Sequence, residues 1–318
     1  MTRTNADLVI GIDLGGTSLK TGLVNRDGKI LYQNKFPSHA TEKRAVVLKQ
    51  IGLSVEDAMD HADGATITGI GIGSPGMVDD EGVVKGPPNF ADFEGIHLRA
   101  ELERMFSLPV RVENDANAAA IAESRFGAGK PHPDFLFVIW GTGVGGGIIL
   151  NRKIFRGPTG GAGEIGHICI DYEGPPCNCG SRGCIEAYVG QRYLSQRTAE
   201  KLRKVEGSRL LELVGGNPAH IEPVYIAQAA NEGDAFSREV LIEAGTLLGV
   251  ALGAVMNTMD LRVSIIGGGI SAAGDFVMDA IKKSVQEHVL KPSRPDIRVL
   301  PAKLGNNAGI LGAAGLVL

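Results

Sequence analysis

One local pattern occurs twice in this chain, and it limits what the rest can fold into. Leu8-Val9-Ile10-Gly11-Ile12 reads as a buried strand, Asp13-Leu14-Gly15-Gly16-Thr17 as a turn and Leu19 to Val24 as a second strand; the turn Asn25-Arg26-Asp27-Gly28 leads to a third, Lys29-Ile30-Leu31-Tyr32. The order returns at Phe135-Leu136-Phe137-Val138-Ile139-Trp140, with Gly141-Thr142-Gly143-Val144-Gly145-Gly146 as its turn, Gly147-Ile148-Ile149-Leu150 as its second strand and Ile154-Phe155 opening the third. Each meander is followed by alternating strands and helices, so the chain is expected to be an α/β protein made of two copies of one fold. A length of 318 residues fits about two domains.

Apolar spacing marks the helices and strands that follow. In the first copy, Thr41 to Asp60 and Leu98 to Phe106 are expected as helices, Ile67 to Ile72 and Pro109 to Val112 as strands. Ala116 to Glu123 is a strong helix former that carries the chain into the second half, and the domain boundary is placed before it. In the second copy, Arg192 to Lys204, Phe236 to Met259 and Phe276 to Val289 read as helices, with Val263 to Ile266 and Ile297 to Leu300 as strands. The final helix, Asn306 to Leu318, is expected to return to the first domain, giving 1–115 plus 303–318 as the smaller domain and 116–302 as the larger. No Pro- or Ser-rich linker separates them, so hinge motion rather than free tethering is expected.

The glycine turns are the first chemical signal. In Asp13-Leu14-Gly15-Gly16-Thr17 the glycines can press backbone N–H groups against phosphate oxygens, Thr17 can donate its hydroxyl, and Asp13 can hold Mg²⁺, usually through water. Lys20 joins these donor-site residues, and Thr142 with Gly143 supplies a facing clamp from the second copy. Neither turn is a Walker or Rossmann loop, because each joins two strands rather than opening a helix. A single glycine hairpin is more often only a turn; the repetition, with an acid in the first copy alone, favours phosphate. Gly268 and Gly269, between a strand and a helix, fit either bare backbone against a nucleoside or a tight turn. With 45 glycines clustered between strands, close approach to a ligand is the expected use.

A second signal lies between Gly163 and Glu186, where His167, Cys177, Cys179 and Cys184 fall in one turn-rich segment. Three thiolates and an imidazole complete the closed tetrahedral shell of a structural Zn²⁺. A disulfide or a set of buried thiols is the plainer reading; the odd count of cysteines, once Cys169 is set aside, and the absence of a secretory signal argue against it. Cys169, in Ile168-Cys169-Ile170, is expected to be a small core residue. Folding around the metal would also fix Glu164 and Glu186 as ligands for hydroxyls. Asn114-Asp115 ends a strand, where open α/β sheets place ligand groups; Asp115 can orient a hydroxyl and accept its proton in phosphoryl transfer, or one of the pair can be a helix N-cap.

A formal net charge of −4 gives no basic field for nucleic acid. Residues 1–7 lack the apolar core of a signal peptide, and no apolar run of about 18 residues is apparent. The expected protein is cytoplasmic, away from membranes.

These residues resemble the ROK family of bacterial repressors and sugar kinases, within the actin-like, ribonuclease H-like superfamily. The resemblance covers essentially the whole chain, and its most specific part is C-x-C-G-x-x-G-C-x-E, matched from Cys177 to Glu186. It implies two ribonuclease H-like domains with a cleft between them, and His167, Cys177, Cys179 and Cys184 as zinc ligands. It further implies Asn114, Asp115, Glu164, His167 and Glu186 as sugar ligands, with Asp115 the catalytic base and His167 serving both zinc and sugar. Repressor members carry a helix-turn-helix before the first phosphate loop, whereas only twelve residues precede Asp13 here. Polyphosphate-using relatives lack the cysteine motif, which points to ATP with Mg²⁺. Glucose-type members often show Asn-Leu-Pro-x-Trp, and this chain has Asn89-Phe90-Ala91-Asp92-Phe93, with Asn89 kept as a sugar contact. The resemblance therefore implies an ATP-dependent glucose kinase, dimeric or tetrameric; a kinase for another hexose or N-acetylhexosamine, and a non-catalytic sugar sensor, are the alternatives.

Overall fold

The computed structural model describes residues 7–318. The first meander is β1 (Leu8–Leu14), β2 (Ser18–Asn25) and β3 (Ile30–Pro37), followed by α1 (Arg44–Asp60) and β4 (Ile67–Ser74). Three short strands, β5 (Met77–Val78), β6 (Val83–Lys85) and β7 (Ile96–His97), make a small antiparallel sheet before α2 (Leu98–Phe106), β8 (Val110–Asn114) and α3 (Asp115–Phe126). The second meander is β9 (Phe135–Trp140), β10 (Val144–Leu150) and β11 (Lys153–Ile154). Helices α4 (Glu186–Val189), α5 (Gln191–Leu202), α6 (Arg209–Leu213), α7 (Pro223–Asn231) and α8 (Ala235–Met259) precede β12 (Val263–Gly267), α9 (Asp275–His288), β13 (Arg298–Pro301) and α10 (Ala308–Gly315).

The two large sheets have the orders β3-β2-β1-β4-β8 and β11-β10-β9-β12-β13. These are the same permutation of five strands, so the duplication read from the two meanders extends through each sheet. β1 pairs antiparallel with β2 and parallel with β4, and β4 pairs parallel with β8. In the other sheet β12 lies parallel to both β9 and β13. This is the ribonuclease H-like arrangement expected from the sequence.

The chain forms two compact units: one holds the chain up to Pro133, Gly147–Gly163 and Lys303–Leu318, the other Asp134–Gly146 and Glu164–Ala302. The boundary read at 115/116 therefore differs from the packing, because α3 belongs to the first unit. Its alanines let α10 approach so closely that a Cβ on Gly312 would fall 1.9 Å from the Ala118 carbonyl oxygen. Glu123 of α3, fully buried, accepts hydrogen bonds from the Lys303 and Leu304 amides, each at 2.9 Å, and fixes the chain where it leads into α10. The terminal helix lies in the first unit.

Glycine has a use that the sequence does not disclose. Gly71 of β4 lies under α10, where a Cβ would meet the Ala313 carbonyl oxygen at 1.8 Å, so helix and sheet touch backbone to backbone. Gly145 to Gly147, read as turn and strand start, all lie within β10; a Cβ on Gly147 would be 2.7 Å from Cβ of Ala120 in α3. The apolar core of the first unit includes Ile10, Ile12, Leu14, Ile70 and Ile72, with Val47, Ile51 and Val55 of α1. Each such side chain contributes about 1.5–3 kcal/mol by leaving water.

The expectation of no long apolar run also needs amendment. The 25 residues of α8 are, by length and composition alone, long and apolar enough to cross a membrane. Its Val240, Leu241, Leu248, Leu252 and Met256 are buried, and it packs on α9 closely enough that a Cβ on Gly249 would lie 2.5 Å from Ser284 Cβ.

Candidate functional site

In the second unit, His167 ends a 3₁₀ turn (Ile165–His167) held against β10 by Gly166, whose Cβ would sit 2.3 Å from the Val144 carbonyl oxygen. The cysteine loop is tied by backbone bonds from Cys177 N to Ser181 O at 2.8 Å and from Gly180 N to Cys177 O at 3.0 Å, with Gly180 at φ +90° closing the turn. The four side chains meet: His167 Nδ1 lies 3.7 Å from Cys177 Sγ, Cys179 Sγ lies 3.7 Å from Cys184 Sγ, and all four donor atoms fall within 4.8 Å of one another. A tetrahedral Zn²⁺ with Zn–S of about 2.3 Å and Zn–N of about 2.0–2.1 Å has S···S edges of roughly 3.8 Å and S···N edges of roughly 3.5 Å. The residues fit such an ion. Burial pushes the Cys184 thiol up to about 12 and raises Cys177, whereas the Ser181 amide holds Cys179 below its ordinary value. Crowded thiols of this kind ionise together only around a cation.

Cys169 stays outside this group but is exposed rather than a core residue. It sits opposite Cys184 in an isolated antiparallel bridge, flanked by Ile170 N to Gly183 O and Ile185 N to Ile168 O, each at 2.9 Å.

The same loop delivers Glu186 to the second glycine turn. Glu186 Oε2 accepts the Val144 amide at 2.9 Å, and a Cβ on Gly143 would fall 2.3 Å from that oxygen. The Gln191 amide donates to both Gly141 O and Thr142 O at 3.1 Å, and the buried Trp140 indole donates to Val189 O at 2.8 Å. Gly268, at φ +96°, rests on Trp140, where a Cβ would be 2.1 Å from its carbonyl oxygen, while nothing lies within 4 Å of a Cβ built on Gly269. Thr142, Gly143, Glu186, Gly268 and the cysteine loop thus form one contiguous region. Glu164 is exposed just before the His167 turn.

In the first unit, Gly15 N donates to Ser18 O at 3.1 Å, leaving Gly16 and Thr17 exposed at the turn tip. Asn89, at φ +67°, lies beside Gly16, and its loop is anchored by Phe90 and Phe93 in the core. Asp13 faces Lys20 across β1 and β2, with Oδ2 to Nζ at 3.6 Å. Burial raises the Asp13 carboxyl above its usual range and Lys20 offsets this only in part, so a further cation there would be stabilised.

Of the pair Asn114 and Asp115, the structure gives the helix cap to Asn114. Asn114 caps α3, its Oδ1 accepting the Ala116 and Asn117 amides at 3.0 and 3.1 Å, and its Nδ2 donates to Gly76 O at 3.0 Å. Asp115 is the first helical residue, exposed, with Oδ1 accepting the Ala116 amide at 2.8 Å. Sequence reasoning missed Glu113, buried one residue earlier, whose Oε1 accepts both the Asn114 amide at 2.9 Å and Asn117 Nδ2 at 3.1 Å. Glu113 falls on the same parity as the exposed Arg111, where the alternation predicts a polar outward residue, so its only local signal was a carboxylate set immediately before a helix cap.

Residues 9–318 match the family model described as ROK family. A glucokinase of Streptomyces coelicolor is 38% identical over 97% of this chain and 97% of its own length. A xylose repressor of Caldicellulosiruptor bescii is 30% identical over 100% of this chain and 80% of its own. Among solved structures, a ROK family glucokinase from Streptomyces griseus in complex with glucose and AMPPNP has a TM-score of 0.85 and 38% identity, covering 98% of this chain and 99% of that one. With a family pattern running from β1 to the last residue and relatives matched along nearly their full length, the chain belongs to the ROK family.

Proposed function

We propose that the protein transfers the γ-phosphoryl group of ATP to the 6-hydroxyl of glucose. The observation that carries this reading is the division of labour at the end of β8: Asn114 caps the helix, so the Asp115 carboxylate stands at its first turn as an exposed base. The glucokinase relatives of Streptomyces support the same chemistry. Asp115 orients the attacking hydroxyl and takes its proton; general-base catalysis of this kind contributes about 10²- to 10⁴-fold.

In the first unit, Gly15, Gly16 and Thr17 offer backbone and hydroxyl donors to the phosphates, Lys20 adds positive charge, and Asp13 is the carboxylate for Mg²⁺, which neutralises phosphate charge when bound. Asn89 and the remaining Nδ2 hydrogen of Asn114 are the polar contacts for sugar hydroxyls in this unit. In the second unit, Thr142, Gly143, Gly268 and Gly269 serve the nucleotide, and Glu164, His167 and Glu186 the sugar. His167, Cys177, Cys179 and Cys184 hold a structural Zn²⁺; with Nδ1 turned to the thiols, Nε2 of His167 is the nitrogen that reaches sugar. The protein works in the cytoplasm as a homodimer or homotetramer, without nucleic acid or membrane.

A coupled assay of ATP consumption over glucose, mannose, fructose and N-acetylated hexosamines tests the reading, with Asp115→Asn as the companion variant. Glucose should give the highest kcat/KM, and Asp115→Asn should lose about 10²- to 10⁴-fold in turnover while sugar affinity changes by no more than about tenfold. Another preferred sugar would reassign the substrate within the class. The xylose repressor relative favours a second reading, a sugar sensor, which sugar binding with no ATP turnover in the parent protein would establish.

A further inference from the structure

We infer that Arg156 and Glu113 form a positioning pair that fixes the angle at which Asp115 is presented, an inference that rests on Asp115 being the base. Glu113 is the last residue before the Asn114-Asp115 turn, and its side chain is only 4% exposed. One oxygen, Oε1, is fully occupied by the Asn114 amide and the Asn117 side chain. The other, Oε2, faces Arg156 Nε at 3.1 Å, off the hydrogen-bond line, so the contact acts chiefly through charge.

Arg156 in turn is bound to the connection between β5 and β6. Its Nη2 donates to Val78 O at 2.8 Å and Asp79 O at 3.2 Å, and its Nη1 to Asp80 Oδ1 at 2.7 Å. The segment after it follows the same path, because a Cβ on Gly160 would lie 2.3 Å from the Val78 carbonyl oxygen. One guanidinium therefore ties three pieces of the first unit: the β5–β6 turn, the segment ending at Gly163, and the carboxylate on which the Asn114 backbone hangs. The Asn114 side chain is held independently through Gly76 O, just before β5. Both ends of the residue preceding Asp115 are thus referred to the same small sheet.

An ion pair between a buried carboxylate and a guanidinium that is only 25% exposed is a poor device for stability alone, since apolar residues of similar volume often stabilise as well or better. Its distinctive property is geometry: the planar guanidinium presents several donors in a fixed fork. The carboxylate it anchors accepts from two groups that flank Asp115. Phosphoryl transfer rewards such alignment, because a misplacement of about 1 Å can cost about 10²-fold in rate.

The informative variant is the double replacement Glu113→Leu with Arg156→Met, which removes both charges together and leaves neither buried alone. The expected result is a fall in kcat per active site of about ten- to a hundredfold, with glucose Kd from calorimetry within about threefold of the parent. Should that variant fail to fold, Arg156→Lys keeps the charge but loses the fork, and kcat should fall about three- to tenfold with the same constancy of Kd. A purely structural pair would lower the melting temperature and leave kcat per folded site intact, so parental kcat in either folded variant overturns the inference. Asp115→Asn, assayed beside them, separates the two claims: parental turnover there removes the base itself, whereas an inactive Asp115→Asn with a fully active double variant removes only the positioning pair.

Discussion

Gly143→Ala isolates the link between the cysteine loop and the second glycine turn. The φ of Gly143 is not in the left-handed region, so alanine meets no backbone penalty, and the added Cβ alone decides the outcome. That Cβ would lie 2.3 Å from Glu186 Oε2, the oxygen that accepts the Val144 amide at 2.9 Å. Both cannot stay. Glu186 is only half-buried and can swing toward water, so the cost is the lost charge-assisted hydrogen bond, about 1.5–3 kcal/mol, rather than a trapped charge. For a unit of roughly 150 residues this lowers the melting temperature by about 3–12 °C. If Glu186 binds a sugar hydroxyl as proposed, its displacement weakens glucose by up to about ten- to a hundredfold, because each 1.4 kcal/mol is about tenfold in Kd. Calorimetric titration of glucose, with differential scanning calorimetry on the same preparation, reads both effects. A Gly143→Ala protein with parental glucose Kd would refute the role of Glu186, and one with an unchanged melting temperature would refute the hydrogen bond's contribution.

Two further outcomes are expected. If zinc is held as proposed, Cys179→Ser removes one of four ligands whose folding and metal binding are the same free energy, so it should release zinc, lower the melting temperature and weaken glucose binding together; elemental analysis finding no zinc in freshly purified, never-chelated parent protein would end the zinc assignment. Asp57 accepts hydrogen bonds from Tyr32 Oη and Asn34 Nδ2, each at 2.6 Å, which hold its carboxyl below the usual range. A depressed carboxyl stabilises the fold above its unfolded value near pH 4 and loses that contribution as pH falls through its folded value. Asp57→Asn should therefore flatten the acid side of the melting-temperature profile, and identical slopes for variant and parent below about pH 4 would exclude the effect.

How much of this was legible depends on the range over which each signal acts. The meanders, most helices and the cysteine loop were readable because their signals are local: alternation along a strand, the apolar stripe of α2, ligand types a few residues apart. Strands such as β5, of two residues, are too short for any period to show. The glycines misled in a specific way. Gly16 of the Asp13 turn lies at an exposed tip, but Gly71, Gly147 and Gly312 serve helix approach, which depends on segments far away in sequence.

The same range argument explains the residues that were missed. Glu123 and Glu113 look like surface charges in a list of residue types, yet both are buried acceptors of backbone amides. Glu123 meets partners 180 and 181 positions later, and nothing near it in the chain announces them. Each nevertheless has a local half: Glu123 Oε2 accepts the Ala128 amide at 2.6 Å, and Glu113 touches Asn114 and Asn117 at offsets of one and four. A carboxylate set immediately before a helix cap is thus a signal that could have been used, and only its Arg156 partner required the fold. Asp115 could be proposed as the base from the sequence because its identity and its place at a strand end are local facts. The groups proposed to set its direction, Glu113 and Arg156, are partly non-local, so that part of the proposal cannot be read from the motif alone.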